Sequence, residues 1–146
     1  MQVQEGQGWR LAVDPSRRPF PVLIGGSGWG AELTASEAWA LRLGVGRLVR
    51  EHRGLVATLL EEEAIELDLE VALGPGSLWL ALEGDRGGWS LRIVLTPAGD
   101  QRGLEGSWLP GASEAFAAAL ELASPFPDRP LSLLRPAGTG AGDQQC

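Results

Sequence analysis

The strongest pattern in the chain is an alternation of apolar and mostly acidic residues near its middle. Apolar side chains occupy every second position from Ile65 to Leu73, and Glu66, Asp68 and Glu70 lie between them. A period of two is typical of a strand with one face in the core and the other in water. This segment therefore predicts an amphipathic strand with an acidic outer face.

Other segments predict further strands and two helices. The strands are expected at 9–14, 22–24, 29–33, 78–83, 89–96 and 103–109. One helix starts at the capping-box pair Thr34 and Glu37 and ends near Gly54 or, with a break, at Leu60; the other spans 112–123. Short turns rich in glycine, proline and aspartate link the later strands, as in an antiparallel meander. The pattern predicts an α+β fold with an antiparallel sheet and two helices.

Two stretches of the chain are echoed about 80 residues later, which favours an internal duplication. Gly-Trp-Arg-Leu at 8–11 recurs as Gly-Trp-Ser-Leu at 88–91, and Ala-Ser-Glu-Ala-Trp-Ala at 35–40 as Ala-Ser-Glu-Ala-Phe-Ala at 112–117. We interpret these echoes as a repeated strands-then-helix unit, with halves at 8–60 and 64–123. Chance similarity between segments rich in alanine and glycine is the alternative.

Length and composition bound the domain organisation. The 146 residues suit one domain, expected at 1–123, followed by a tail at 124–146 that contains four of the ten prolines and a glycine-rich end. Such a composition predicts disorder in the tail. No apolar run reaches the roughly 18 residues of a membrane span, and no signal peptide is readable. With a single cysteine, Cys146, we expect a cytoplasmic protein without membrane contact.

The charge is negative and unevenly spread. All 12 basic residues are arginine, and the 19 acidic residues bring the net charge to −7. Residues 1–60 carry a net +2, and the remainder carries −9. Because phosphate neutralisation supplies most of the affinity of nucleic-acid binders, this balance counts against generic DNA binding. A local basic patch in the first half stays open.

No catalytic or cofactor motif is recognised. A hydrolytic triad needs a histidine beside a serine or cysteine, and His52, the only histidine, is expected to be solvated on an arginine-rich helix. The run Gly26-x-Gly28-x-x-Ala31 fits a dinucleotide fingerprint, but no acidic strand end follows about 20 residues later. We interpret it as a tight turn, and we expect no enzyme activity and no cofactor.

The acidic residues at 61–63, 66, 68 and 70 raise the question of a metal site. Positions two apart on a strand are separated by about 6.6 Å, which is too far for one ion without help from a neighbouring strand. A solvated acidic face is the simpler interpretation. We expect no metal site.

A further set of residues carries a family resemblance. It comprises Gly8 to Arg10, Asp14-Pro15, Phe20, Leu23 to Gly26, Trp29, Glu32 to Thr34, and Glu105 to Trp108. Over residues 8–123 the chain resembles a family of small cyanobacterial proteins of unknown function. That family is similar in fold to the Whirly and positive-cofactor-four type of single-stranded-DNA-binding transcriptional regulator. The resemblance implies a Whirly-like fold and suggests single-strand binding across a sheet, although fold alone does not determine function.

Trp79 is the tryptophan that strand parity places on the outer sheet face. An exposed tryptophan can anchor a protein partner or stack on a base. Neighbouring acids would repel phosphate, which favours cover by a protein partner, a second subunit in a homodimer, or the C-terminal tail. Our first hypothesis is a non-enzymatic binding or regulatory module acting through protein contacts. The alternative is a single-stranded nucleic-acid binder that uses Trp79 with Arg10, Arg92 and Arg102.

Overall fold

The computed structural model describes residues 1–60, 62–97, 99 and 103–131. In this part of the chain, four strands and a helix are followed by four more strands and a second helix. Their bounds are β1 (Gln2–Gly6), β2 (Trp9–Val13), β3 (Val22–Gly26), β4 (Trp29–Leu33), α1 (Ala35–Val56), β5 (Ile65–Leu73), β6 (Gly76–Asp85), β7 (Gly88–Thr96), β8 (Leu104–Trp108) and α2 (Ala112–Leu122).

The strands form two four-stranded antiparallel sheets. Strands β1 to β4 are neighbours in chain order in the first sheet, and β5 to β8 in the second. The α+β class and the antiparallel meander are confirmed. Where the sequence predicted one sheet, α1 separates the strands into two. Strand β1 was not predicted, because Gln2 to Gly6 contains one strongly apolar residue, Val3.

Two hairpins of the first sheet each pack a tryptophan over a cross-strand glycine. Trp9 pairs across the strands with Gly6, and Trp29 with Gly26. Each indole covers its glycine so closely that a Cβ there would lie 2.3 Å from Nε1. Gly28 has a φ of 81°, a conformation that side chains with a Cβ rarely adopt. The Gly26–Gly28 run is therefore a hairpin turn leading into a strand, as the interpretation as a tight turn requires.

Each helix packs at least partly on the sheet that does not directly precede it in the chain. Helix α1 follows the first sheet but packs on β5 and β6 of the second. Gly44 allows this close contact, since a Cβ there would lie 2.3 Å from a methyl group of Leu80. Helix α2 packs on β2 of the first sheet and on β7. One core results, with Leu11, Ile24 and Trp108 among its fully buried side chains.

The segment after α2 lies against α1. Nε1 of Trp39 donates to the carbonyl of Pro127 at 2.7 Å, and the Phe126 ring packs edge-on against Trp39 with centroids 5.2 Å apart. The predicted tail at 124–146 thus begins with residues that contact the helices. Residues 132–146 lie outside the described ranges, and the division at residue 123 stays a prediction.

Candidate functional site

The outer face of the second sheet carries five exposed carboxylates. They are Glu66, Asp68 and Glu70 on β5, Glu83 on β6 and Glu105 on β8, and we call them the acidic face. Their apolar neighbours on β5 point the other way, toward α1. Glu66 and Glu83 are direct cross-strand partners, an arrangement in which like charges repel. The sheet thus holds a concentrated negative charge.

Trp79 lies in the middle of this face and is held on two sides. It is partly buried, and its cross-strand partners are Glu70 on β5 and Val94 on β7. Its Nε1 donates to Oδ2 of Asp68 at 3.2 Å, and the guanidinium carbon of Arg92 lies 5.3 Å from its ring centroid. A cation at this distance from an indole is attracted to it. The ring is therefore already oriented before any partner arrives.

The arginines predicted to join Trp79 are divided by the structure. Arg92 is exposed on β7 beside Trp79. Arg10 lies on β2 of the first sheet, where it faces Glu5 and Gly25 across the strands. Its grouping with Trp79 on one face is wrong, because the predicted single sheet is two sheets. Arg102 lies outside the described residues.

The acidic face is poorly neutralised. Over the described residues, the arginine–carboxylate contacts within 4.0 Å are Arg17 with Glu32 and Arg47 with Glu51, and both lie elsewhere on the molecule. In the same ranges no group of three or more metal-ligating side chains is close enough to hold an ion. Among the described residues, these carboxylates therefore have no arginine in ion-pair contact.

A cleft between the two helices is a second feature, which the sequence did not indicate. Its volume is about 660 Å³, and α1, α2 and the turn between β6 and β7 form its walls. His52 is part of its lining and is only 7% exposed, so the expectation that this histidine is solvated is wrong. Helix α1 turns it inward because it lies one turn after the buried Leu48.

A third concave region lies where the hairpins of the first sheet meet the loop before α2. It has a volume of about 740 Å³, and its lining includes Trp9, Trp29, Leu109 and Pro110. Of the residues that the structure describes, none with a charged side chain lines it. Two of its aromatic side chains, Trp9 and Trp29, each follow a hairpin glycine, so the Gly-Trp pairs at 8–9 and 28–29 were the available sequence signal.

Comparison with known proteins places the chain in a family. Its two antiparallel sheets and two helices define it as a small α+β domain. The chain matches the model of a domain of unknown function (DUF1818) over residues 4–123, and it belongs to this family.

A solved structure is similar to the chain. A crystal structure from Prochlorococcus sp. NATL2A, described as a protein with unknown function from the DUF155 family, is similar to the chain at 33% identity and a TM-score of 0.70. The similarity covers 82% of this chain and 96% of the other. No curated protein matches the chain. The predicted resemblance to a family of cyanobacterial proteins of unknown function is thereby supported.

In the described part of the chain, neither helix is both long enough and apolar enough to cross a membrane.

Proposed function

We propose that this protein is a non-enzymatic binding module whose acidic face takes a basic segment of a protein partner. One observation carries the proposal. Five carboxylates lie on the same sheet face as an indole that Asp68 and Arg92 hold in place. A fixed tryptophan supplies contact area at little entropic cost, and the carboxylates supply complementarity to lysine or arginine.

The edge of the second sheet offers a place for an added strand. Strand β5 is the outermost strand on its side of the sheet, so one row of its backbone groups has no partner strand. Its apolar side chains, such as Leu67 and Leu69, are only partly buried. An extended peptide can pair with such an edge through its backbone and place alternate side chains on both faces. Basic residues at every second position would then lie beside Glu66, Asp68 and Glu70.

A homodimer through the same edge is the less favourable arrangement. Two copies of β5 pairing with each other would bring their rows of carboxylates close together. Like charges on an edge strand are a common device against edge-to-edge association. The acidic face therefore favours a partner of opposite charge over a second copy.

The geometry of the outer sheet face supports a non-enzymatic role. His52 lies in the wall of the helix cleft, and Trp79 and the acidic face lie on the outer side of the second sheet. The hydroxyls of Ser77 and Ser90 on the outer side of β6 and β7 therefore have no histidine base beside them. This separation favours a binding role over hydrolysis by a serine–histidine pair.

Single-stranded nucleic acid is the second candidate, and one observation favours it. The uncharged aromatic pocket at Trp9 and Trp29 could hold a base, because stacking on an indole tolerates any sequence. The order of four strands and a helix, repeated once, also agrees with the Whirly-like fold that the resemblance implies. Against it stands the acidic face, which would repel phosphate around Trp79.

The deciding experiment compares two probes by tryptophan fluorescence at low and moderate salt. One probe is a peptide of alternating lysine and valine, and the other is oligo-dT. We expect the peptide to bind with an affinity that falls as salt rises, and the variant Glu66→Gln/Asp68→Asn/Glu70→Gln to lose binding. The control Glu5→Gln/Glu51→Gln/Asp128→Asn makes the same change in net charge on other surfaces and should keep it.

Two results would contradict the proposed peptide binding. Equal loss in both variants would show that net charge alone attracts the peptide, and the proposal would fail. Saturable quenching by oligo-dT at low salt, abolished by Trp9→Ala, would replace the proposal with the second candidate.

A further inference from the structure

The helix cleft combines a positive rim with an apolar floor. Its apolar lining includes Val49 and Val56 of α1 and the buried Trp89 of β7, and Leu122 of α2 contributes an exposed side chain. At about 660 Å³ it has the size of a pocket for a small organic molecule. The small residues Gly46 and Ala117, where the helices face each other, leave this space open.

Three arginines line the rim. Arg50 and Arg53 lie three residues apart on α1, so they share one side of the helix, and Arg86 comes from the turn between β6 and β7. Within the described ranges none of the three forms an ion pair with a carboxylate, and the hydrogen bond of Arg86 is a long one, from Nη1 to the carbonyl of Leu59 at 3.4 Å. Three guanidinium groups around one cavity, without a carboxylate partner among the described residues, are unexpected on a chain of net charge −7.

The two carboxylates in the lining do not cancel this charge. Glu114 is used by the fold, because it accepts hydrogen bonds from the backbone N–H of Trp89 at 3.0 Å and from that of Gly111. Glu121 is exposed on α2; its Oε1 and Nη1 of Arg50 both lie beside Gly46, but they do not form an ion pair within 4.0 Å. The cleft therefore keeps more positive than negative charge available to a ligand.

His52 adds a second observation. Its Nε2 is buried and has no hydrogen-bond partner among the described residues, while its side chain is part of the wall of the cleft. An unsatisfied buried polar atom costs stability and calls for an explanation, of which a functional role is one. The imidazole therefore forms part of the wall beside the three arginines, although its Nε2 is itself covered by neighbouring atoms.

We propose that the helix cleft binds a small organic anion with a phosphate-type group and an apolar or aromatic body. The guanidinium groups of Arg50, Arg53 and Arg86 hold the anionic group, since planar guanidinium groups match phosphate oxygens in pairs. The body lies on Val49 and Trp89. This site is on a different surface from the acidic face, so it does not depend on the proposed peptide binding.

The test uses phenyl phosphate as the probe, with inorganic phosphate and phenol as its two halves. Backbone amide signals of Gly87 and Gly88 and the indole signal of Trp89 report binding in ¹⁵N NMR spectra. We expect phenyl phosphate to shift these signals and to bind at least ~10-fold more tightly than either half alone. In Arg50→Gln/Arg53→Gln the affinity should fall by at least ~10-fold, because each lost charge-assisted hydrogen bond is worth about that factor.

The matched control is Arg10→Gln/Arg47→Gln, which removes two arginines from outside the cleft and should bind as the unaltered protein does. Unchanged spectra at Gly87 to Trp89 would overturn the proposal. So would equal weakening in the control and the cleft variant. Since all four arginines are exposed, both variants are expected to fold, and their amide spectra check this directly.

Discussion

Trp29 and Trp108 pack edge to face at the junction of the two sheets, and each donates a hydrogen bond to the backbone of the opposite sheet. Nε1 of Trp108, on β8, donates to the carbonyl of Gly25 on β3 at 2.8 Å, and Nε1 of Trp29, on β4, donates to the carbonyl of Ser107 on β8 at 3.2 Å. Their ring centroids lie 5.0 Å apart in an edge-to-face arrangement. Each sheet thus contributes an indole that satisfies the backbone of the other.

We expect Trp108→Phe to lower the free energy of unfolding by about 2–4 kcal/mol, because it leaves the carbonyl of Gly25 unpaired and removes part of a buried ring. Trp29→Phe should cost about 1 kcal/mol, since this indole is partly exposed. Urea denaturation measures both. Trp79→Phe, at the outer sheet face, is the control and should cost less than about 1 kcal/mol. Equal losses in all three variants would contradict the special place of Trp108.

The capping box of α1 gives a second prediction. Oγ1 of Thr34 accepts from the backbone N–H of Glu37 at 3.2 Å, and the N–H of Thr34 donates to Oε1 of Glu37 at 2.9 Å. Thr34→Ala should cost about 1 kcal/mol of stability, because it leaves an N–H at the helix start unpaired. Thr34→Ser, which keeps the hydroxyl, should restore most of the loss in the same thermal unfolding measurement.

His52→Leu tests what the buried imidazole nitrogen costs in stability. Removing a buried nitrogen without a partner should raise the free energy of unfolding by about 1 kcal/mol. A loss of stability instead would mean that the imidazole contributes essential packing. Calorimetry gives the answer, with Leu55→Ala, an exposed position on the same helix, as the reference for changes that touch no core.

One carboxyl group gives a prediction about pH. The Ser16 hydroxyl donates to Oδ1 of Asp14 at 2.8 Å, and the Ser16 N–H donates at 3.2 Å; these bonds hold the pKa of Asp14 below its ordinary value. A lowered folded-state pKa stabilises the protein above the unfolded-state pKa, and this contribution is lost as pH falls through the folded value. Ser16→Ala should therefore raise the pKa of Asp14, as an NMR titration of the carboxyl group would show. An unchanged titration would assign the lowered pKa to other groups.

Much of the fold was predictable because local patterns carry it. The alternation at Ile65 to Leu73 and the capping box at Thr34 each depend on neighbours in the chain, and both segments have the predicted form. The separation into two sheets was not predictable in this way. It depends on where α1 packs. Gly44 permits this long-range contact, but the periodicity of the sequence does not predict it.

The candidate sites likewise differ in whether local sequence patterns predict them. Strand parity is enough to put Trp79 and the acidic residues of β5 on one face, since side chains alternate along a strand. Parity could not separate Arg10 from Arg92, because both lie on outer faces but of different sheets. The helix cleft was missed for another reason: Arg50, Arg53 and Arg86 are brought together by two elements that are 30 or more residues apart in the chain.

The packing of α1 on β5 and β6, rather than on the strands that precede it, ties the two halves of the chain together. A fragment ending after α1 would have a helix without its sheet, and a fragment beginning at β5 would have a sheet without its cover. We therefore expect neither to be stable alone, and the two mixed together to reconstitute the native fold. Unfolding should be all-or-none for the same reason, with no intermediate that retains one half.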